Sequence, residues 1–301
     1  MKLQMIKKMR GRGAAGEFHG KALVAAVLLG GAWMGGGCFE HREAPARPVS
    51  AKGVAEAEAN AAEVEELDLS GSEDKALPGV LGAMGGLRIL YLRGGAFDDF
   101  TALAGCDGLE VLDLGRVRLG AMPREVLSLK SLRDLYLCGC GLSAFPEGLE
   151  TLPGLRYLNL DRNAIAALPE TLPQGLRWLR LNHNRLASLP AGIGAMGALR
   201  RLYLRGNALD DIPAEIAGCA ELTDIDLAGN NLEGFPEALA ALPALRNLDL
   251  SGNGRISALP GDETLSAMKS LRTLRLTGCP LTNEERGRVR AALPRGCAII
   301  F

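Results

Sequence analysis

One pattern recurs along most of this chain and limits what the chain can fold into. With x for any residue, it reads L-x-x-L-x-L-x-x-N-x-L, followed by x-x-L-P-x-x-L-x-x-L-x-x. Successive copies start 21 to 26 residues apart. The ten copies begin at Val64, Leu87, Leu109, Leu132, Leu155, Leu176, Leu199, Leu222, Leu245 and Leu271. A period in this range predicts one elongated solenoid, so the length of 301 residues does not indicate two domains.

This pattern resembles the leucine-rich repeat family over most of the chain. The resemblance implies an α/β fold, a curved solenoid with a parallel sheet on the concave face and short helices and turns on the convex face. We expect four segments along the chain. They are a signal peptide at 1–37, a tether and N-terminal cap segment at 38–63, ten repeats at 64–281, and a C-terminal cap helix and strand at 282–301.

The spacing inside each repeat predicts which side chains enter the core. Residues two apart in a strand share a face, so Leu158 and Leu160 point inward while Tyr157, Asn159 and Asp161 face the concave surface. Asparagines at the ninth repeat position can satisfy backbone groups at the bend that follows. They are Asn163, Asn184, Asn207, Asn230 and Asn253, and the resemblance makes Cys140 and Cys279 structural substitutes there. Ser72, Gly95 and Val117 take this position in the first three repeats, so we expect the N-terminal third to be least regular.

The convex side and the far end carry helix signals. A Leu-Pro pair or its equivalent follows eight strands, and its proline favours the first turn of a short helix. The prolines are Pro78, Pro123, Pro146, Pro169, Pro190, Pro213, Pro236 and Pro260. Thr282 with Glu285 forms a capping box that predicts a helix to about Leu293, followed by a last strand at 297–301. Before the repeats, the Ala/Glu-rich stretch after Ala51 favours a helix at the open end of the first repeat.

The N-terminus has the order of an export signal. A basic stretch at 1–21 precedes an apolar run at 22–34, and Gly35-Gly36-Gly37-Cys38 follows. The segment resembles a bacterial lipoprotein signal, although Gly35 stands where that family usually has Leu. The resemblance implies lipidation of Cys38 and an outer-membrane anchor in the cell envelope. The alternatives are an ordinary signal, or a cytoplasmic protein whose first segment is not a working signal.

Charge and motif content argue against several functions. The chain has a formal net charge of −1, with an excess of +5 confined to the first 37 residues, which leaves a mildly acidic remainder. Nucleic-acid binding needs clustered positive charge, so we expect none. The three histidines do not stand in any catalytic or metal-binding motif, and the Cys138-Gly-Cys140 pair alone is weak evidence for a metal. We therefore predict a protein without catalytic residues, metal or cofactor.

All tyrosines, and every tryptophan after the first segment, fall at outward strand positions. They are Tyr91, Tyr136, Tyr157, Trp178 and Tyr203. Tyrosine and tryptophan dominate binding hot spots, whereas the simpler explanation is that aromatic residues suit strands. The simpler explanation predicts aromatic side chains on other faces too, so we favour a binding face. We expect Tyr157, Trp178 and Tyr203 to form a diagonal row of neighbouring rings.

Charged residues complete the predicted binding face. Arg180 and Arg205 lie beside the aromatic residues, and Asp224, Asp226 and Asp249 are expected to form an acidic patch. A mixed aromatic and charged surface suits a protein or peptide partner. The sequence thus predicts a protein-binding solenoid, with glycan or cell-wall polymer binding as the alternative and an unrecognised enzyme as a third hypothesis. The predicted partner-binding residues are Tyr91, Tyr136, Tyr157, Trp178, Arg180, Tyr203, Arg205, Asp226 and Asp249.

Overall fold

A computed structural model describes residues 50–59 and 61–301 of the chain. The predicted signal peptide and Cys38 lie outside the described residues. The described part contains one parallel sheet of twelve strands, ordered as in the sequence. The strands are β1 Ser50–Lys52, β2 Glu66–Asp68, β3 Ile89–Tyr91, β4 Val111–Asp113, β5 Asp134–Tyr136, β6 Tyr157–Asn159, β7 Trp178–Arg180, β8 Arg201–Tyr203, β9 Asp224–Asp226, β10 Asn247–Asp249, β11 Thr273–Arg275 and β12 Ala298–Ile300.

Every strand in the described residues is three residues long, and in all but β12 the middle side chain is buried in the core. Leu158 of β6 pairs in register with Leu135 of β5 and Leu179 of β7, and all three are fully buried. The same column continues through the other repeats, so the period of the leucines sets the register of the whole sheet. The sequence prediction of a leucine-rich repeat solenoid is confirmed.

The asparagine ladder closes the bend after β6 to β10. Asn163 donates through Nδ2 to the carbonyl oxygens of Leu137 and Leu160, at 2.8 and 2.9 Å. Its Oδ1 accepts from the amides of Cys140 and Leu142 in the preceding repeat. Each ladder amide thus joins two repeats.

In two other repeats, cysteine fills the ladder position and provides a weaker hydrogen-bond donor. The thiol of Cys140 donates to the carbonyl of Leu114 at 3.1 Å, and that of Cys279 donates to the carbonyl of Leu250 at 3.3 Å. The structural role predicted for both cysteines is confirmed. The predicted irregularity of the first repeats is wrong at the level of the sheet, because β2 to β5 pair in the same register as the later strands.

The convex side consists mainly of 3-10 helices. A proline stands directly before five of them rather than inside the first turn, as Pro190 does before Ala191–Ala195. Phe100 takes this place where the repeat lacks proline. The described 3-10 helices are Gly79–Ala83, Thr101–Gly105, Arg124–Ser128, Leu149–Thr151, Ala191–Ala195, Ala214–Gly218 and Glu237–Ala241. In the longer repeat after β10, the α-helix α2 (Asp262–Ala267) stands in their place.

An additional strand and a helix flank the repeats at each end. At the start, β1 pairs with β2 and is followed by the short helix α1 (Val54–Ala59), whose Ala57 is fully buried. The sequence predicted helix alone here, and β1 was missed because Ser-Ala-Lys lacks a large apolar residue to mark a strand. At the far end, α3 (Asn283–Ala292) begins at Thr282, whose hydroxyl accepts from the amide of Glu285, and β12 then pairs with β11. Within the described residues, no helix is both long and apolar enough to cross a membrane.

Candidate partner-binding face

Strand register sorts the predicted binding residues into three columns across the concave face. Tyr157 and Trp178 lie in the first column, at the first residue of each strand. The second column, at the last strand residue, holds Tyr91, Tyr136, Arg180, Tyr203, Asp226 and Asp249. Arg205 lies two residues after β8, in a third column beyond the strand ends. The face therefore brings all nine residues onto one surface, although they do not form one cluster.

Three aromatic side chains form a continuous row. The ring centroids of Tyr136 and Tyr157 are 4.9 Å apart, and those of Tyr157 and Trp178 are 5.6 Å apart in an edge-on arrangement. These are favourable distances for aromatic pairs. We call Tyr136, Tyr157 and Trp178 the aromatic row. Tyr157 at its centre is 6% exposed, so its neighbours fix the orientation of its ring.

The predicted row is confirmed for Tyr157 and Trp178, while its diagonal continuation to Tyr203 stays a prediction. Register places Arg201, and not Tyr203, beside Trp178, and the Arg201 guanidinium lies 4.6 Å from the centroid of the Trp178 ring. Tyr203 instead pairs with Arg180, whose guanidinium lies 5.0 Å from the tyrosine ring centroid. Two positions of difference within the repeat put the rings in different columns. Arg201 therefore stacks on Trp178 at the end of the aromatic row, and Arg180 stacks on Tyr203. Each arginine is a cation–π partner of its ring.

Arg180 also belongs to a half-buried ion pair. Its Nε donates to Oδ2 of Asp161 at 2.9 Å, while Oδ1 of the same carboxylate accepts from the amide of Asn182 at 2.8 Å. Arg180 is thus held between a carboxylate and the ring of Tyr203. This arrangement presents a planar, rigid arginine, the form in which this side chain contributes most to binding.

The predicted acidic patch is wrong, because its carboxylates are already paired. Arg205 donates from Nε to Asp226 and from Nη2 to Asp249, each at 2.9 Å. Asp224 accepts from Nδ2 of Asn247 at 2.7 Å. Asp226 and Asp249 are 4% and 3% exposed, and burial raises the pKa of Asp226 to about 6 despite its bonds to Arg205 and to the amide of Ala228. These residues hold the face together and do not offer free negative charge.

Asp113, which was not among the predicted binding residues, lies in the second column between Tyr91 and Tyr136. Its Oδ1 accepts from the amide of Gly115 at 2.7 Å, whereas its buried Oδ2 has no hydrogen-bond partner. Nη1 of Arg93 lies 4.0 Å from this Oδ2. Burial raises the pKa of this carboxyl and that of Tyr91 beside it. The sequence alone could have identified Asp113, since an acidic residue stands among tyrosines at one repeat position.

The described residues contain no group of three or more His, Cys, Asp or Glu side chains placed to hold a metal ion. Four of the free cysteines in this part are buried within the repeats, where burial raises their pKa and so keeps the thiols protonated. They are Cys106, Cys140, Cys219 and Cys279. The surface chemistry of the concave face is therefore that of aromatic rings, guanidinium groups and paired carboxylates.

Comparison with known proteins agrees with this architecture. Residues 174–232 and 198–254 match the model of the family described as leucine rich repeat. A mouse volume-regulated anion channel subunit, LRRC8B, is 32% identical over 117 residues, which are 36% of this chain and 14% of that protein. The chain therefore spans a small part of this curated relative.

Solved structures resemble the chain over a longer stretch. A leucine-rich repeat protein of Leptospira interrogans superposes with a TM-score of 0.59 at 24% identity, covering 80% of this chain and 73% of that one. The ectodomain of an Arabidopsis thaliana receptor kinase, solved in complex with Casparian strip integrity factor 2, gives a TM-score of 0.62 at 26% identity, covering 79% of this chain and 30% of that one. These matches support the leucine-rich repeat family, whose members are generally recognition modules without catalysis of their own.

Proposed function

We propose that this protein is a noncatalytic recognition module whose concave face binds a protein or peptide partner. The observation that carries the proposal is the aromatic row flanked by two arginines held over aromatic rings. Tyrosine, tryptophan and arginine are the residue types that contribute most to protein interfaces. The resemblance to a receptor ectodomain solved with its factor adds support, because that protein has the same kind of solenoid.

Glycan or cell-wall polymer binding is the second candidate, since sugars also stack on aromatic rings. Such stacking requires an open ring face. Within the aromatic row, Tyr157 packs against Tyr136 and Trp178, while Arg201 covers the Trp178 ring. Ring edges and guanidinium groups suit a polypeptide with carbonyls and side chains better than a flat sugar. This geometry favours the protein partner.

The test combines site-specific crosslinking with truncation of the anchors. A photoreactive residue replacing Trp178 is expected to crosslink a discrete protein in cells, whereas the same residue at the exposed, convex Arg124 is expected not to do so. We expect Trp178→Ala with Tyr203→Ala to keep the circular dichroism spectrum and melting curve, and to weaken partner capture by ~2 kcal/mol or more per anchor. Capture that survives the double substitution, or crosslinking to isolated cell-wall polymer alone, contradicts the proposal.

A place in the cell envelope, with a lipid anchor at Cys38, completes the proposed function. The support is the order of basic, apolar and small residues before this cysteine. Mass spectrometry of the mature protein is expected to find a modified Cys38 at the N-terminus, and Cys38→Ala is expected to leave a soluble or uncleaved precursor. An unmodified Cys38 inside a longer chain rules the anchor out.

A further inference from the structure

The third residue after each of the ten repeat strands adopts a left-handed backbone conformation. At seven of these equivalent turns the residue is glycine, with φ between 64° and 79°. Glycine suits the position because it lacks the Cβ that makes this region unfavourable for other residues. The three exceptions are Arg116, Arg162 and His183, with φ values of 63°, 58° and 55°. Arginine and histidine therefore occupy strained positions that the fold fills elsewhere with glycine.

All three exceptional side chains are exposed and carry basic groups. They lie in the third, fifth and sixth repeats, and we call them the basic ridge. A Cβ placed on Gly139 would lie 3.7 Å from Cγ of Arg116, and one placed on Gly206 would lie 2.6 Å from Nδ1 of His183. Each of these two side chains thus lies across the glycine of the following repeat. The glycines leave the room that the basic side chains use.

The arginines of the ridge have no acidic partner within the protein as described. Asp161, the residue next to Arg162, already forms a salt bridge with Arg180. The salt bridges of the described residues include neither Arg116 nor Arg162. Two further exposed arginines, Arg118 and Arg185, lie two residues beyond the ridge, and no salt bridge of these residues includes them either. Unpaired basic groups gathered at strained positions point to a partner, because strain persists where function requires it.

We propose that the basic ridge binds an acidic peptide segment of the protein partner. The inference rests on the proposed function in one respect, that the partner is a protein, but it uses a surface separate from the aromatic row. Arg116 and His183 are three repeats apart, or about 14 Å at the usual strand spacing, a distance covered by about four residues of extended chain. A single file of basic groups matches a file of carboxylates, which pair strongly with guanidinium groups.

The geometry favours a peptide over other anionic macromolecules. Single-stranded nucleic acid is typically bound by tyrosine, tryptophan or phenylalanine platforms beside the basic groups, and the three ridge residues include none of these. A membrane surface would need basic groups spread over a plane, whereas these stand in one line along the solenoid. Both remain possible outcomes of the test.

The experiment measures binding of a fluorescein-labelled peptide of eight glutamates to the full chain by anisotropy. A glutamine peptide of the same length is the control probe. In the variant Arg116→Gly/Arg162→Gly/His183→Gly, we expect affinity for the acidic peptide to fall at least tenfold, with an unchanged or raised melting temperature. Stability should not fall because glycine is the residue that the other seven turns carry. Substitution by asparagine, which tolerates this conformation, provides a second variant.

A matched control separates position from net charge. The variant Arg124→Gln/Arg177→Gln/Arg295→Gln removes three exposed arginines outside the ridge and is expected to bind the acidic peptide normally. Equal loss in both variants, or tighter binding of single-stranded DNA or of anionic phosphatidylglycerol vesicles, overturns the inference. Trp178→Ala should retain the peptide. Weakened partner capture in that variant with peptide binding intact therefore tests the aromatic row alone, and the glycine variant tests the ridge alone.

Discussion

At the ends of several strands, a side-chain oxygen accepts a hydrogen bond from the amide two residues later. Asp68, Asp113, Asn159, Asp226 and Asp249 make this bond at 2.7 to 3.0 Å. Either a carboxylate or an amide can accept it, as Asn159 shows. The acid at most of these positions therefore supplies an acceptor that does not need its charge. Where an arginine donates a hydrogen bond, as to Asp226, the charge is stabilised. Where Oδ2 is buried without a hydrogen bond and the nearest arginine is 4.0 Å away, as in Asp113, burial of the charge is a net cost.

Asp113→Asn is expected to raise the free energy of unfolding at pH 7 by roughly 1–3 kcal/mol, because asparagine keeps the acceptor and removes a desolvated charge. The pKa of Asp113 is raised from its ordinary 3.8 by burial, so protonation favours the folded state. The penalty is then present above the folded pKa and disappears as pH falls through it towards 3.8. Urea unfolding at pH 7 and pH 4 should show the gain shrinking at the lower pH.

The control for this prediction is Asp68→Asn. Asp68 makes the same bond to the amide of Ser70 at 2.9 Å but is not buried, so we expect no resolved change in stability at either pH. An equal gain from both substitutions would mean that net charge, and not the buried Oδ2, sets the stability.

At the scale of elements, Arg288 links α3 to the last repeats. Arg288 donates to the carbonyls of Leu259 and Pro260 at 2.9 and 3.0 Å, and it forms ion pairs with Glu285 and Asp262. Glu285 in turn accepts from the amide of Leu259 at 2.7 Å. The helix thus satisfies backbone groups of the loop that precedes α2.

Arg288→Gln is expected to lower the free energy of unfolding by roughly 1–3 kcal/mol, since it leaves loop carbonyls without their charged donor. Thermal unfolding measures the effect. Arg295→Gln, an exposed arginine just beyond the helix, should leave the melting temperature unchanged. A melting temperature insensitive to Arg288→Gln would mean that apolar packing alone holds α3.

The sequence predicts elements well here because each repeat position has one structural meaning. The leucine spacing predicts β2 to β11, and the ninth position predicts the ladder. Pairing between side chains was predicted less well, since it depends on which column each residue occupies. Tyr203 is two positions later in its repeat than Trp178, which places it beside Arg180. Arg205 reaches two carboxylates that lie 21 and 44 residues further along the chain, and their pairing is visible only after the repeats are aligned as columns.

At the scale of the whole molecule, the sheet is a linear array in which each strand pairs only with its neighbours in sequence. The ten repeat strands are flanked by β1 and β12, whose sequences differ from the repeats. Stability in such an array is a sum of repeat and interface contributions. Damage at one end should therefore spread inward by a limited number of repeats and spare the aromatic row in the middle.

Deletion of residues 282–301 tests this one-dimensional behaviour. The deletion removes β12, which accepts at the carbonyl of Ile300 from the amide of Leu276 at 2.7 Å, and the buried Val289 of α3. The edge of β11 and part of its core then face water. Hydrogen–deuterium exchange is expected to show lost amide protection in β10 and β11, with protection in β6 to β8 retained, because these strands keep all of their neighbours. Loss of protection along the entire sheet would show instead that the ten repeats unfold as one cooperative unit, so that the binding face depends on the distant cap.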